Sequence, residues 1–263
     1  MVYIVNNNPN LKTMVEIIDE AVDVRLNNTH FMALAYCERM VKFDGNANNA
    51  IITGCEFEFI DHVDTSYAGY DIIAIEYTGN LHNHLIHHNI FTCNNDINYN
   101  FTAIKVNTAE LKYCTFDNNH IYMQHEGKGY FINGSNGSKL YKISIAGNNM
   151  HVCYFDFLRL DGFEEVERII VSNNIGSISN EGYFIYSGLV NVNNSTIIGN
   201  NIHENDNTNS VVDMSGYHTV LSNNCIVGDW WGQTGNACLA LNNINANIQG
   251  IWSPQSTGNI TTI

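Results

Sequence analysis

The chain is poor in proline, poor in positive charge and without any long apolar run. Its 263 residues include 2 Pro, and 11 Lys and Arg set against 26 Asp and Glu, for a net charge of −15. None of the 11 basic residues lies beyond Arg168, so the last 95 positions carry no Lys or Arg. Binding to a phosphate backbone needs basic side chains to displace counterions, which excludes nucleic acid as a partner. An anionic membrane surface is disfavoured for the same reason. Apolar runs of a few residues cannot cross a bilayer, so no membrane insertion is expected. The first residues, Met1 to Asn6, lack a basic stretch followed by an apolar core, and no signal peptide is read there. The cysteines, Cys37, Cys55, Cys93, Cys114, Cys153, Cys225 and Cys238, show no paired spacing. They read as small buried hydrophobes in a protein assembled in a reducing compartment, not as a disulfide framework.

What the chain has in excess is Asn, at 42 positions. Many follow one template, an aliphatic residue, two or three small or polar ones, Asn, and an aliphatic residue again. It occurs at Ile145 to Met150, Val171 to Ile175, Ile198 to Ile202, Leu221 to Cys225 and Ile244 to Ile248. From Asn149 the second Asn recurs after 25, 27, 23 and 23 residues, at Asn174, Asn201, Asn224 and Asn247. A second landmark keeps step with it. Short alternating strands end in a polar residue, often before Gly, at 44, 78, 107, 133, 161, 187, 215 and 242. The units are rich in Ile, Val, Phe and Tyr and lack helical periodicity, which separates them from leucine-rich repeats. One such coil cannot bury its apolar face alone and must stack on its neighbours. The expectation is an all-β, right-handed parallel β-helix of about nine coils forming one domain over residues 1–263. Residues 1–13 would cap or edge it, and 253–263 would form a tail. Asn suits the left-handed turn at a coil corner, and its amide can bond the Asn above and below. Asn149, Asn174, Asn201, Asn224 and Asn247 are therefore expected to be scaffold.

In this repeat pattern, across roughly residues 14–252, the chain resembles the pectin-lyase-like superfamily of parallel β-helices. That group includes polysaccharide lyases, glycoside hydrolases and bacteriophage tailspikes. The resemblance implies a sugar-binding groove along an outer strand face. It carries no catalytic signature: the Arg-x-Pro-x-x-Arg segment of pectate lyases is missing, although Ile60-Asp61-His62 is similar to one of their stretches. The Asp-Asp and Gly-His-Gly motifs of polygalacturonases are missing too.

Strand alternation predicts two outward columns. One reads Lys42, Glu76, Lys105, Phe131, Arg159, Ile185, Asp213, Ala240, and the other Asp44, Thr78, Asn107, Asn133, Asp161, Ser187, Ser215, Asn242. Asp161 and Asp213, two rungs apart, are the candidate acid and base of an inverting glycosidase, with Glu76 a further acid. Arg159 would hold the charge of Asp161. Lys105, Asn133 and the pair Trp230-Trp231, placed in a loop near the rung of Asp213, are candidate sugar contacts. The same carboxylates also read as solvated charges paired across rungs, Lys42 with Glu76 and Glu76 with Lys105. The Trp pair also reads as a core cap or subunit contact. The acidic stretch from Glu56 could hold Ca²⁺ near Asp61, Asp64 and Asp71, or be solvated; otherwise no metal or cofactor is expected. His82, His84, His87 and His88 lack ligand spacing and read as turn or ladder residues.

The functional expectation is a tailspike-like protein on a virion or cell surface that engages a polysaccharide, leaning to glycoside hydrolysis. A lyase would need more basic residues than this chain has, and neutral sugars suit its charge better. A non-enzymatic receptor-binding fibre and a structural homotrimeric shaft are the alternatives.

Overall fold

The structure, a computed structural model, describes residues 1–8, 10–18, 21–60, 71–95, 100–125, 128–152, 155–178, 182–204, 210–215, 218–232, 239–241 and 244–250. Its strands pair in parallel throughout, in one sheet of nine strands and one of twenty-two that wraps the rest of the body. The expected parallel β-helix is what the chain forms. Among the described residues no helix is long and apolar enough to cross a membrane.

A representative coil begins with the short strand Thr115–Asp117 of the nine-stranded sheet and turns a corner into His120–His125. It continues through Gly129–Gly134, then Ser138–Tyr141, and returns to the nine-stranded sheet at Ser144–Ala146. Equivalent positions stack in register, so that Leu85, Thr115, Ser144, Ile170 and Thr196 lie one above the next. Stacking like on like fills the interior with aromatic columns. Phe31, Phe57 and Phe91 stack at 4.9 and 5.1 Å, and Phe131, Phe157 and Phe184 at 5.0 and 5.3 Å. All six are fully buried, and rings at these separations add attraction beyond the area they bury. Cys37, Cys55, Cys93 and Cys114 are buried thiols in the same core. Burial pushes the Cys37 and Cys114 thiols up to about 12, consistent with an inert packing role.

The nine-stranded sheet is entered and left through two corners, each built from one residue with positive φ followed by one buried residue. At the exit corner the positive-φ residues are Asn28, Gly54, His88, Asn118, Gly147, Asn173, Gly199 and Asn223. The residues behind the last six of these are Asn89, Asn119, Asn148, Asn174, Asn200 and Asn224, all at most 1% exposed. They form the asparagine ladder. Each backbone N–H and each side-chain Nδ2 donates to the Oδ1 of the Asn one coil further on, at 2.9–3.1 Å, from Asn89 through Asn200. The second Nδ2 proton goes to a main-chain carbonyl of the nine-stranded sheet, as from Asn148 to Phe116 O at 3.0 Å. The Asn-to-Asn donors all run toward the C-terminus, and the bonds to the sheet carbonyls run the other way. Cys55 occupies the same position one coil earlier and donates its N–H to Asn89 Oδ1.

The expected scaffold set is therefore corrected in part. Asn174 and Asn224 are ladder residues, but Asn149 and Asn201 open the following strands, and their predecessors Asn148 and Asn200 are buried instead. The reason is which residue takes the left-handed conformation. In Asn173-Asn174 the first Asn does, whereas Gly147 and Gly199 do so in their coils and shift the ladder Asn one position earlier. Asn247 lies within the strand Ile244–Gly250.

At the entry corner the positive-φ residues are Asp23, Asn49, Asn83, Tyr113, Lys142, Arg168, Asn194 and His218. Left-handed backbone costs an ordinary L-residue roughly 1–2 kcal/mol. Behind them the buried positions are mixed: Ala50, His84, Cys114, Ile143, Ile169, Ser195 and Thr219. His84 donates through Nε2 to Ala47 O at 3.0 Å and sits edge-on to the Phe43 and Tyr77 rings. Its Nδ1 and the Tyr77 hydroxyl have no hydrogen-bond partner among the described residues. Burial lowers the His84 pKa to about 4.

Candidate functional site

The outer strand face is built from the strands Thr13–Ile18, Arg39–Asp44, Asp71–Tyr77, Asn100–Val106, Gly129–Gly134, Phe155–Arg159, Ile185–Asn193 and Ser210–Ser215. Along it the register joins Glu16, Lys42, Glu76, Lys105, Asn133, Arg159, Tyr186 and Asp213, and continues to Trp231. Neighbouring rungs are about 4.8 Å apart, the ordinary strand spacing. Lys42, Glu76, Lys105, Arg159 and Asp213 thus share one column as expected. Asn133 joins that column, whereas Phe131 and Ile185 are fully buried. Ala240 belongs to the nine-stranded sheet, paired with Leu221.

The cause is a bend common to these strands. Ala74-Ile75, Ala103-Ile104, Phe131-Ile132, Phe157-Leu158 and Phe184-Ile185 are adjacent pairs whose members are all fully buried. Two consecutive inward side chains break the period of two, so the outward neighbours are three residues apart. A second outward column, Ile73, Thr102, Tyr130 and Asp156, consequently faces the first across the bend, with Tyr183 following Asp156. Arg159 reaches back over it to Asp156 at 3.0 Å. Thr102 and Asp156, 1% and 6% exposed, form the floor of this trough.

Its electrostatics are dense. Arg159 grips Asp161 with two hydrogen bonds of 2.8 Å and lies 4.1 Å from the centre of the Tyr186 ring. The Tyr183 and Tyr186 rings are 4.7 Å apart. Asp156 also accepts the Tyr183 N–H at 2.8 Å; burial pushes its carboxyl above the usual range despite that bond and Arg159. Burial likewise raises the Asp213 carboxyl. It raises the Tyr130 and Tyr183 hydroxyls too, with Asp156 adding to the first and Asp213 to the second. Lys105 is lowered by burial, against the pull of Asp71, Glu76 and Asp161. Glu76 is 2% exposed and sealed by Arg39 Nε, and accepts from Asn107 Nδ2 at 3.2 Å. Lys42 pairs with Glu16 and Asp44 and Glu76 with Arg39, so the ion pairs run differently from the Lys42–Glu76–Lys105 series expected.

Asp161 lies two residues past Arg159, while Asp213 is level with Arg159 two rungs on. Two rungs across and two residues along place their backbones roughly 12 Å apart, further than rung spacing alone gives. Trp230 and Trp231 lie not in a loop but in the strand Cys225–Gly232, aligned with Val212 and Asp213. Tyr130, Asp156, Tyr183 and Tyr186 are further residues of this candidate face that strict alternation hides.

A cation could be held elsewhere. His30, Glu56 and Glu58 bring their ligand atoms within 4.8 Å of one another, with His30 Nε2 at 2.9 Å from Glu58. One imidazole and two carboxylates are a donor set that could hold a divalent metal ion. Of the residues considered for Ca²⁺, Asp61 and Asp64 lie outside the described residues, and Asp71 accepts from Asn100 Nδ2 at 3.0 Å. Of the His cluster, His84 is buried in the core and His87 Nδ1 lies 2.7 Å from His88 Nδ1.

No family model matches the chain, and no curated protein matches it. Among solved structures it is similar to the A-module of the Azotobacter vinelandii mannuronan C-5 epimerase AlgE6, at 10% identity. The alignment covers 97% of this chain and 91% of that one, with a TM-score of 0.32.

Proposed function

We propose that this solenoid engages a surface polysaccharide along the trough of the outer strand face and hydrolyses it. The observation that carries the reading is the alignment of Lys105, Asn133, Arg159, Tyr186 and Asp213 on successive rungs, beside Tyr130, Asp156 and Tyr183. A glycan presents alternating apolar ring faces and hydroxyls, and such a row offers Tyr rings together with donors and acceptors. The face holds more carboxylates than cations: Arg39, Lys42, Lys105 and Arg159 stand among Glu16, Glu38, Asp44, Asp71, Glu76, Asp156, Asp161 and Asp213. That balance favours neutral sugars over uronates.

In the hydrolytic reading Asp213, its carboxyl raised by burial, is the general acid. Asp161, oriented by the Arg159 fork, is the base that activates water. Glu76 supports the column by holding Arg39. Display on a virion or cell surface, as in tailspikes, is the biological setting this implies. The test is release of reducing ends from neutral capsular or cell-wall glycans. Asp213→Asn is expected to lower turnover by about 100-fold with little change in KM, the scale of a lost acid–base group. Unchanged turnover would overturn the assignment.

A second reading is a non-enzymatic receptor-binding fibre. It is favoured by the ion pairs that occupy Glu76, Asp156 and Asp161. Saturable glycan binding without new reducing ends supports it. A trimer in light scattering with no glycan binding would instead support the structural shaft.

A further inference from the structure

We infer that the entry corner carries a second saccharide site, distinct from the strand face and selective for a carboxylated sugar. The backbone supplies the first observation. At the exit corner seven of the eight positive-φ residues among those described are Asn or Gly, the residues that tolerate that conformation. At the entry corner three successive coils place Tyr113, Lys142 and Arg168 there instead. Strained positions of this kind persist where the side chain has work to do.

The second observation is what those three side chains build. Lys142 Nζ lies 5.0 Å from the centre of the Tyr113 ring and 5.3 Å from that of Tyr141. Arg168 donates to the Tyr141 hydroxyl at 2.7 Å and pairs with Glu167 at 3.1 Å. Tyr113 is 49% exposed, so its ring is open to solvent. Beside the cations runs a groove of about 300 Å³, lined by Ile143, Ser144, Ile170, Asn194 and Thr196 as well as Lys142 and Arg168. Apolar side chains, two hydroxyls and an amide are the lining a single sugar unit needs, and the volume is at the small end of ligand sites.

Charge selects the ligand. Nearby Lys112 and Lys139 are neutralised by Glu110 and by Glu164 and Glu165. Among the described residues no carboxylate pairs with Lys142, in a chain where acids outnumber bases 26 to 11. An unneutralised ammonium beside an open Tyr ring and hydroxyls fits a sugar carboxylate, the reverse of the preference argued for the strand face.

The experiment uses the full chain and trigalacturonate as probe, with its neutral methyl ester as control, in calorimetric titrations at low salt. The acid is expected to bind at least tenfold more tightly than the ester. Lys142→Asn/Arg168→Asn is expected to weaken acid binding at least tenfold without lowering the melting temperature, because Asn suits both backbone positions. The strand-face variant Tyr186→Ala is expected to leave acid binding unchanged. Equal affinity for acid and ester, no saturation at millimolar probe, or full affinity in the double variant would overturn the proposal. So would loss of acid binding in Tyr186→Ala, which would assign it to the strand face. Failure of Asp213→Asn to affect neutral glycans bears only on the strand-face reading.

Discussion

The two corners of the nine-stranded sheet solve one geometric problem with different chemistry. Each turns the chain with a left-handed residue and buries the next. The exit corner repeats Asn in the buried place for six coils and makes a closed hydrogen-bond system. The entry corner fills that place with Ala, His, Cys, Ile, Ser and Thr, and His84, Cys114, Ser195 and Thr219 each donate to a main-chain carbonyl instead of repeating one amide. A turn therefore does not itself require Asn. The ladder exists because Asn satisfies its own buried amide by repetition, whereas the mixed corner leaves its outward residues open to other uses.

The sharpest way to break this contrast is to delete one ladder amide. Asn148→Ala strands both donors of Asn119 and takes one donor each from Asn174 Oδ1 and the Phe116 carbonyl, and is expected to cost about 4 kcal/mol in urea unfolding. At the entry corner Ile143→Val removes one methylene and should cost about 1 kcal/mol.

Acid separates the corners next. The imidazole of His84 is held neutral in the fold, with a pKa of about 4 against an ordinary 6.5. The unfolded chain takes up a proton that the folded one refuses between these values. Stability is thus complete above pH 6.5 and falls by roughly 3 kcal/mol as pH drops toward 4. His84→Leu is expected to flatten this part of the curve, while the ladder, being uncharged, contributes no slope.

Smaller effects come from the turning residues. Gly199→Ala puts a Cβ 2.7 Å from Asn173 Oδ1 at a φ of +68° and should destabilise by about 2 kcal/mol. Tyr113→Asn, at the opposite corner, relieves a left-handed backbone and should stabilise by about 1 kcal/mol, read as a higher melting temperature.

The coil period was legible because Asn and the strand ends recur together. Which Asn is buried was not, since Gly147 and Gly199 take the turn and move the ladder by one residue. The strand face was legible where each coil offers a charged residue, at Lys42, Glu76, Lys105, Arg159 and Asp213. It failed at Phe131 and Ile185, because paired inward residues such as Phe131-Ile132 interrupt alternation. The same interruption hid Tyr130 and Asp156, which face the column from three residues away.

The one-way sense of the ladder makes the rod unequal at its two ends. Truncating coils from the C-terminal side leaves the new last Asn with an N–H and an Nδ2 proton whose acceptor has gone. Truncating from the N-terminal side removes the donors to the new first Oδ1 and the sheet carbonyl that takes its second Nδ2 proton, as Phe116 O does for Asn148, so one donor loses its acceptor where the other end loses two. A shortened protein, or an array extended by whole coils, is therefore better trimmed from the front and capped at the back.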